Sequence, residues 1–149
     1  MSETRAVSTT LGYVLTLAIA ALLVTGLIAA GTGYVETERE QVIRDELTVI
    51  GQQLAADVER ADRLVRAANT THGSVTVRLN QSFSDRVTGS SYRISLESSD
   101  EVVVTSVDPN VTVTIDVETK TDISDSTVDG GGIRIAYDET GDHLEVRDV

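Results

Sequence analysis

The chain contains no cysteine, which removes disulfides and thiolate metal sites together. Aromatic residues are scarce: four Tyr, one Phe and no Trp, 3% of the chain. Proline occurs once, at Pro109, so no proline breaks a helix anywhere before it. Lysine is nearly missing, since Arg supplies all basic residues except Lys120. Acidic residues outnumber basic ones 24 to 12, giving a net charge of −12. Without a basic face the chain is not expected to bind nucleic acid directly, because phosphate contacts need Lys and Arg. High Asp and Glu, little Lys, and small apolar residues instead of Phe and Trp read as a surface built for concentrated salt. There the Debye length shrinks to about 3 Å at 1 M, and repulsion among carboxylates costs little. The composition is that expected of a halophile's protein.

Charge is also missing locally. From Ala6 to Val35 there is no Asp, Glu, Lys or Arg. A helix crosses the bilayer core with roughly 20 apolar residues, so this run predicts a transmembrane helix over residues 7–35. Membrane lipid is the first expected partner. Tyr13 and Tyr34 stand near its two ends, where interfacial aromatics belong. Gly26-x-x-x-Ala30 and Ala29-x-x-x-Gly33 put small residues on one face, where two helices approach closely. Gly26, Ala29, Ala30 and Gly33 are therefore the helix-packing candidates. Gly31-Thr32-Gly33 has low helix propensity and predicts a soft spot. Arg5 on one side and Arg39 and Arg44 on the other leave the positive-inside rule undecided. An Ala18-Ile19-Ala20 secretory cleavage site would leave the apolar Ala21–Ala30 at a new N-terminus, so the uncut helix is the better reading.

The border is short and abrupt: Met1-Ser-Glu-Thr-Arg-Ala6 abuts Val7-Ser8-Thr9-Thr10-Leu11-Gly12 with no spacer. This stretch resembles the class III signal peptide and N-terminal helix of archaeal type IV pilins, particularly those of halophiles. The resemblance implies a leader of residues 1–6, cut by a prepilin peptidase after Arg5-Ala6 so that the mature chain begins at Val7. It also implies a cytoplasmic N-terminus, an extracytoplasmic remainder, and partnership with other pilin-like subunits through the apolar helix. Ser8-Thr9 stands where halophilic members often have Ser-Pro.

Beyond Val35 the pattern changes. Ile43, Leu47, Ile50, Leu54, Val58, Ala61, Val65 and Ala68 recur at spacings of three and four with a mean near 3.6, the helical period. They predict an amphipathic helix over residues 36–69 that continues the apolar one, supported by pairs such as Glu40–Arg44 and Glu59–Arg63. Asn69-Thr-Thr-His-Gly73 is expected to end it. From residue 74 the period becomes two. Val75, Val77 and Leu79; Tyr92, Ile94 and Leu96; Glu101 to Val107; Val111, Val113, Ile115 and Val117; Ile133, Ile135 and Tyr137; and Leu144 and Val146 predict five or six strands. Turn-like breaks separate them. Short connections imply one antiparallel meander over 74–149 with one wet face, its apolar face meeting the helix stripe. The expected fold is α+β: a long N-terminal transmembrane-plus-amphipathic helix packed on a small antiparallel sheet, which is also the type IV pilin architecture.

Chemistry is poorly supplied. His72 and His143 stand singly, and nothing sets a nucleophile on a strained turn, so no enzyme and no cofactor is expected. Asp122, Asp125 and Asp129, beside Gly130-Gly131-Gly132, make weak calcium-ligand candidates; a solvated acidic loop is the expected reading. Asn69, Asn80 and Asn110 each open an N-glycosylation sequon, expected at turns or strand ends. Together these point to a structural and assembly role, as a pilin-like or pseudopilin subunit. The rival is an uncleaved signal-anchored envelope protein whose β domain is a binding module or part of a membrane complex.

Overall fold

A computed structural model describes residues 2–70 and 75–149, with side chains from Thr10 onward except Thr32. The first helix, α1, runs from Ser2 to Asn69. The helical assignment is unbroken through Gly31-Thr32-Gly33, so the expected soft spot does not end it. The chain divides into two units, Met1–Arg39 and Glu40–Val149.

In the first unit every described side chain of α1 is exposed, and from Ala6 to Val35 no residue is charged. In the second its stripe is sealed: Ile43, Leu47, Leu54, Val58 and Ala61 are 0% exposed, and Val65 is 1% exposed. Gly51 lies on the same side. A Cβ there would come within 2.9 Å of Ile115 Cγ1 and 3.5 Å of Val104 Cγ2, so the helix backbone lies directly on the β side chains.

Among the described residues nine strands follow. They are β1 (Arg78–Ser82), β2 (Arg86–Val87), β3 (Ser90–Glu97), β4 (Glu101–Ser106), β5 (Thr112–Asp116), β6 (Asp122–Ile123), β7 (Ser126–Asp129), β8 (Gly132–Asp138) and β9 (His143–Asp148). They form two sheets where one meander was expected. One has the order β1-β8-β9-β6; the other has β2-β3-β4-β5, with β7 also paired to β3. All pairings are antiparallel except β6 with β9.

The segment expected to be an acidic loop, 122–129, accounts for the difference. It runs between the sheets as β6 and β7. β7 pairs with β3, while the Ser126 hydroxyl accepts from Val146 N at 3.0 Å and Leu144 O accepts from Ser124 N at 2.9 Å. Strand residues that alternate in the sequence also alternate in burial: Tyr92, Ile94 and Leu96 on β3, Val102 and Val104 on β4, Ile133 and Ile135 on β8, and Leu144 and Val146 on β9. They join the helix stripe in one core. Val75 and Val77 are buried without belonging to a strand.

Turns follow their backbone demands. Thr88 and Gly89 both have positive φ (49° and 81°), which closes a two-residue hairpin between β2 and β3. Asp100, at φ 63°, ends the β3–β4 connection. Gly130 answers a packing demand. A Cβ there would fall 2.5 Å from the Tyr92 ring, while its N–H donates to Tyr92 O at 2.9 Å. Tyr92 is the largest fully buried side chain, and its hydroxyl donates to Ser84 O at 2.7 Å. Burial, aided by Asp85 and Glu46, pushes its pKa up to about 12.

Candidate functional site

The residues singled out by the sequence do not converge on one pocket. Asp122 sits on β6, paired with His143 of β9. Asp125 accepts from the Ser98 backbone N–H at 2.7 Å, and this bond holds its carboxyl below the usual range. Asp129 ends β7 and faces Arg93 across the sheet, 3.7 Å away. Among the described residues no group of three His, Cys, Asp or Glu side chains is placed to hold a metal ion. The acidic segment therefore stitches strands together and gathers no ligand set. His143 lies on β9 opposite Asp138; His72 and Gly73 lie outside the described residues.

The three sequons have different settings. Asn69 is the last residue of α1, and its side chain bonds the Tyr137 hydroxyl, which itself donates to Asp142 Oδ1 at 2.7 Å. The third residue of that sequon, Thr71, lies outside the described residues. Asn80 is in the middle of β1 and not at a strand end, and its Oδ1 accepts from Arg134 Nε at 2.9 Å. Asn110 alone occupies an exposed turn, between the cis Asp108–Pro109 bond and β5.

The strongest feature is the N-terminal helix itself. Every described side chain from Thr10 to Val42 is exposed, including Leu22 at 74% and Leu27 at 73%. This is the one helix among the described residues long and apolar enough to cross a membrane. Tyr13 and Tyr34 lie 21 residues apart, about 32 Å at 1.5 Å per residue. That matches a hydrocarbon core of roughly 30 Å. Described threonine hydroxyls along this stretch bond within the helix. Thr16 Oγ1 donates to Gly12 O, Thr25 Oγ1 to Ala21 O and Thr37 Oγ1 to Gly33 O, at 2.9, 2.9 and 3.0 Å. In lipid a hydroxyl has no water to bond, so these i−4 bonds suit the setting.

Of the packing candidates, Gly26 and Gly33 have open space around them: a Cβ on either would meet nothing within 4 Å. Ala29 and Ala30 are exposed with them. Arg5, Ala6 and Val7 fall within the span of α1, and their side chains lie outside the described residues.

One buried polar contact escaped the sequence reading. Asp62 is 2% exposed, on the helix side that faces the sheets. Its Oδ1 accepts from Lys120 N (3.1 Å), Thr121 N (2.9 Å) and Thr121 Oγ1 (2.8 Å), while Oδ2 meets Arg66 Nη2 at 3.0 Å. Burial pushes its pKa up, but the Thr121 and Lys120 bonds and the Arg66 charge outweigh this and hold it below the usual value. The signal was its spacing, since Val58, Asp62 and Val65 continue the buried three-and-four rhythm.

A family model matches residues 2–147, through the apolar helix and the β domain alike. The chain belongs to DUF7266, a family of unknown function. In DUF7266 the exposed helix and the two-sheet domain are thus parts of one family unit. No curated protein and no solved structure matches the chain.

Proposed function

We propose that this DUF7266 chain is a membrane-anchored, type IV pilin-like or pseudopilin subunit with a structural and assembly role at the cell surface of a halophilic archaeon. One observation carries the reading. A single helix is apolar and exposed at every described side chain from Thr10 to Val35, then buries an amphipathic stripe against a β domain in its second half. An apolar surface of that extent needs lipid or other apolar helices around it. Small residues at Gly26, Ala29, Ala30 and Gly33 suit close approach by a like helix. In this reading the prepilin peptidase cuts between Ala6 and Val7, the N-terminus faces the cytoplasm, and the β domain lies outside. The role is non-catalytic and needs no cofactor.

The test is the N-terminal residue of the protein from its native membrane, read by mass spectrometry of the intact chain and its first peptide. A chain starting at Val7 supports a pilin-like subunit. A chain starting at Met1 or Ser2 rejects it in favour of an uncleaved anchor whose β domain is a binding module or part of a membrane complex.

A further inference from the structure

The subunit role makes no use of the three sequons at Asn69, Asn80 and Asn110. Transfer of a sugar to any of them makes two demands. The amide nitrogen must be free to react, and the Asn-x-Ser/Thr segment must stand clear enough of the domain to enter an enzyme's cleft.

Asn80 meets neither demand. Its Oδ1 accepts from Arg134 Nε at 2.9 Å, and Asn80, Gln81 and Ser82 are registered against Arg134, Ile133 and Gly132 of β8. Lifting this sequon out breaks the ladder over three residue pairs. Asn69 is tied as well, since it ends α1 and its side chain bonds the Tyr137 hydroxyl.

Asn110 differs on both counts. It is exposed and outside the strands, and among the described residues no side chain holds its amide. Its neighbours are pinned instead. The Ser106 hydroxyl donates to Pro109 O and accepts from Val111 N at 3.1 Å, while Val111 O accepts from Ser106 N at 2.9 Å. Asp108 N donates to Ser90 Oγ at 3.1 Å. Ser106 and Val111 are buried, at 1% and 3% exposed. The turn is thus fixed from below, and Asn110 is the residue it presents. Thr112 is exposed with Asn110, because alternation about the buried Val111 returns it to the outer side. Amide and hydroxyl, the two groups that define the sequon, face solvent together. Asn110 also stands on the rim of a groove of about 340 Å³, lined by Arg93, Ser95 and Thr105 among others. Their guanidinium and hydroxyls can bond the hydroxyls of a sugar.

We propose that Asn110 is N-glycosylated and that Asn69 and Asn80 are not. The donor is a lipid-linked oligosaccharide phosphate. A bond forms between Asn110 Nδ2 and the sugar's C1 as the C1–O bond to phosphate breaks. The lipid phosphate leaves with that electron pair, and the amide gives up one proton to it, so nothing is oxidised or reduced. The inference rests on the placement of the β domain outside the cell, and it holds whether or not Ala6–Val7 is cut.

Trypsin, which cuts after Arg and Lys, puts the three sequons on separate peptides: 67–78 carries Asn69, 79–86 carries Asn80 and 94–120 carries Asn110. The full chain from its native membrane is digested and the three masses are read. Peptide 94–120 is expected to gain the mass of whole sugar residues, and the other two are expected at their sequence masses. Asn110→Gln and Thr112→Ala, made in the native host, are expected to abolish the gain. Thr112→Ser, which keeps the hydroxyl, is expected to retain it. Both positions are exposed, so folding is expected to survive, and circular dichroism checks this. A gain on 67–78 or 79–86, or one on 94–120 that survives Thr112→Ala, would overturn the proposal. Protease added to intact cells separates the remaining failure from that of the placement. Unmodified 94–120 in a β domain that the protease reaches overturns the glycosylation alone. A β domain shielded in intact cells overturns the placement and the glycosylation with it.

Discussion

Leu22 and Leu47 are the same residue on the same helix, yet Leu22 is 74% exposed and Leu47 is 0% exposed. The first belongs to the unit ending at Arg39 and the second to the unit beginning at Glu40. What separates them is pattern. Around Leu22 apolar residues occupy every side of the helix, so no face is marked for a protein partner and all of them need an apolar solvent. Around Leu47 they fall three and four apart, and charged neighbours leave a single stripe to be covered by the sheets. Uniform hydrophobicity specifies an environment, whereas periodic hydrophobicity specifies a contact.

The sharpest break in this comparison comes from truncating one leucine in each unit. Leu54→Ala removes a fully buried side chain and is expected to lower the stability of the β-containing unit by about 2–5 kcal/mol. Leu23→Ala, at a site 64% exposed, is expected to leave that unit's unfolding unchanged. Denaturant unfolding of the full chain in detergent micelles, followed by circular dichroism, distinguishes the two. Equal losses would erase the distinction between environment and contact.

The reverse experiment adds charge. Leu22→Arg places a guanidinium near the middle of the apolar run, where insertion costs about 2.5–3.5 kcal/mol. The variant is expected to shift from the membrane pellet towards the salt- and carbonate-extractable fraction. Arg at Val49, which is 62% exposed on the amphipathic half, is expected to leave membrane retention as it is.

How far the sequence led depends on the length of each signal. Seven of the eight predicted stripe positions are buried and Ala68 is half-buried, because the positions repeat one period, but Ala55 and Asp62, buried beside them, were missed. Strands β3, β4, β5, β8 and β9 were legible because each alternates over five to eight residues. Strands β2 and β6 have two residues and β7 has four, too few for a period to show. Missing them turned two sheets into one meander and left 122–129 as a loop. The candidate ligands Asp122, Asp125 and Asp129 were legible as acids but not as separate partners of separate strands, since pairing is non-local. Asp62 was not singled out in the sequence, although its position beside the stripe marks it as facing inward.

Asp62 gives the next prediction. Asp62→Ala leaves the N–H groups of Lys120 and Thr121 without their acceptor, and is expected to cost about 1–3 kcal/mol. The folded pKa of Asp62 lies below its ordinary value, so the carboxylate's contribution is complete above the unfolded pKa, near 3.9. It is lost as the pH falls through the folded value. The stability gap between wild type and Asp62→Asn, which removes the charge but keeps an acceptor oxygen, should therefore be constant from pH 7 to about 5 and narrow below 4. Urea midpoints measured across that range check it; a gap that widens on acidification would mean that the charge does not contribute as described.

The smallest effect on the fold is expected where the helix is most exposed. Gly26→Leu adds a side chain at a position whose Cβ meets nothing within 4 Å, so no contact within the chain is disturbed. Replacing Gly by a good helix former favours the helix by up to about 1 kcal/mol. The thermal midpoint of the β-containing unit should not fall. Lateral association should respond in the opposite direction, because a bulky residue between Gly26 and Ala30 holds a neighbouring helix backbone away. Energy transfer between labelled chains in lipid vesicles, compared for wild type and Gly26→Leu, separates the two effects. Unchanged transfer would assign the small residues to helix composition alone. Reduced transfer with an intact midpoint would show that the first unit, uniform in hydrophobicity, also carries a contact, written in residue size in place of periodicity.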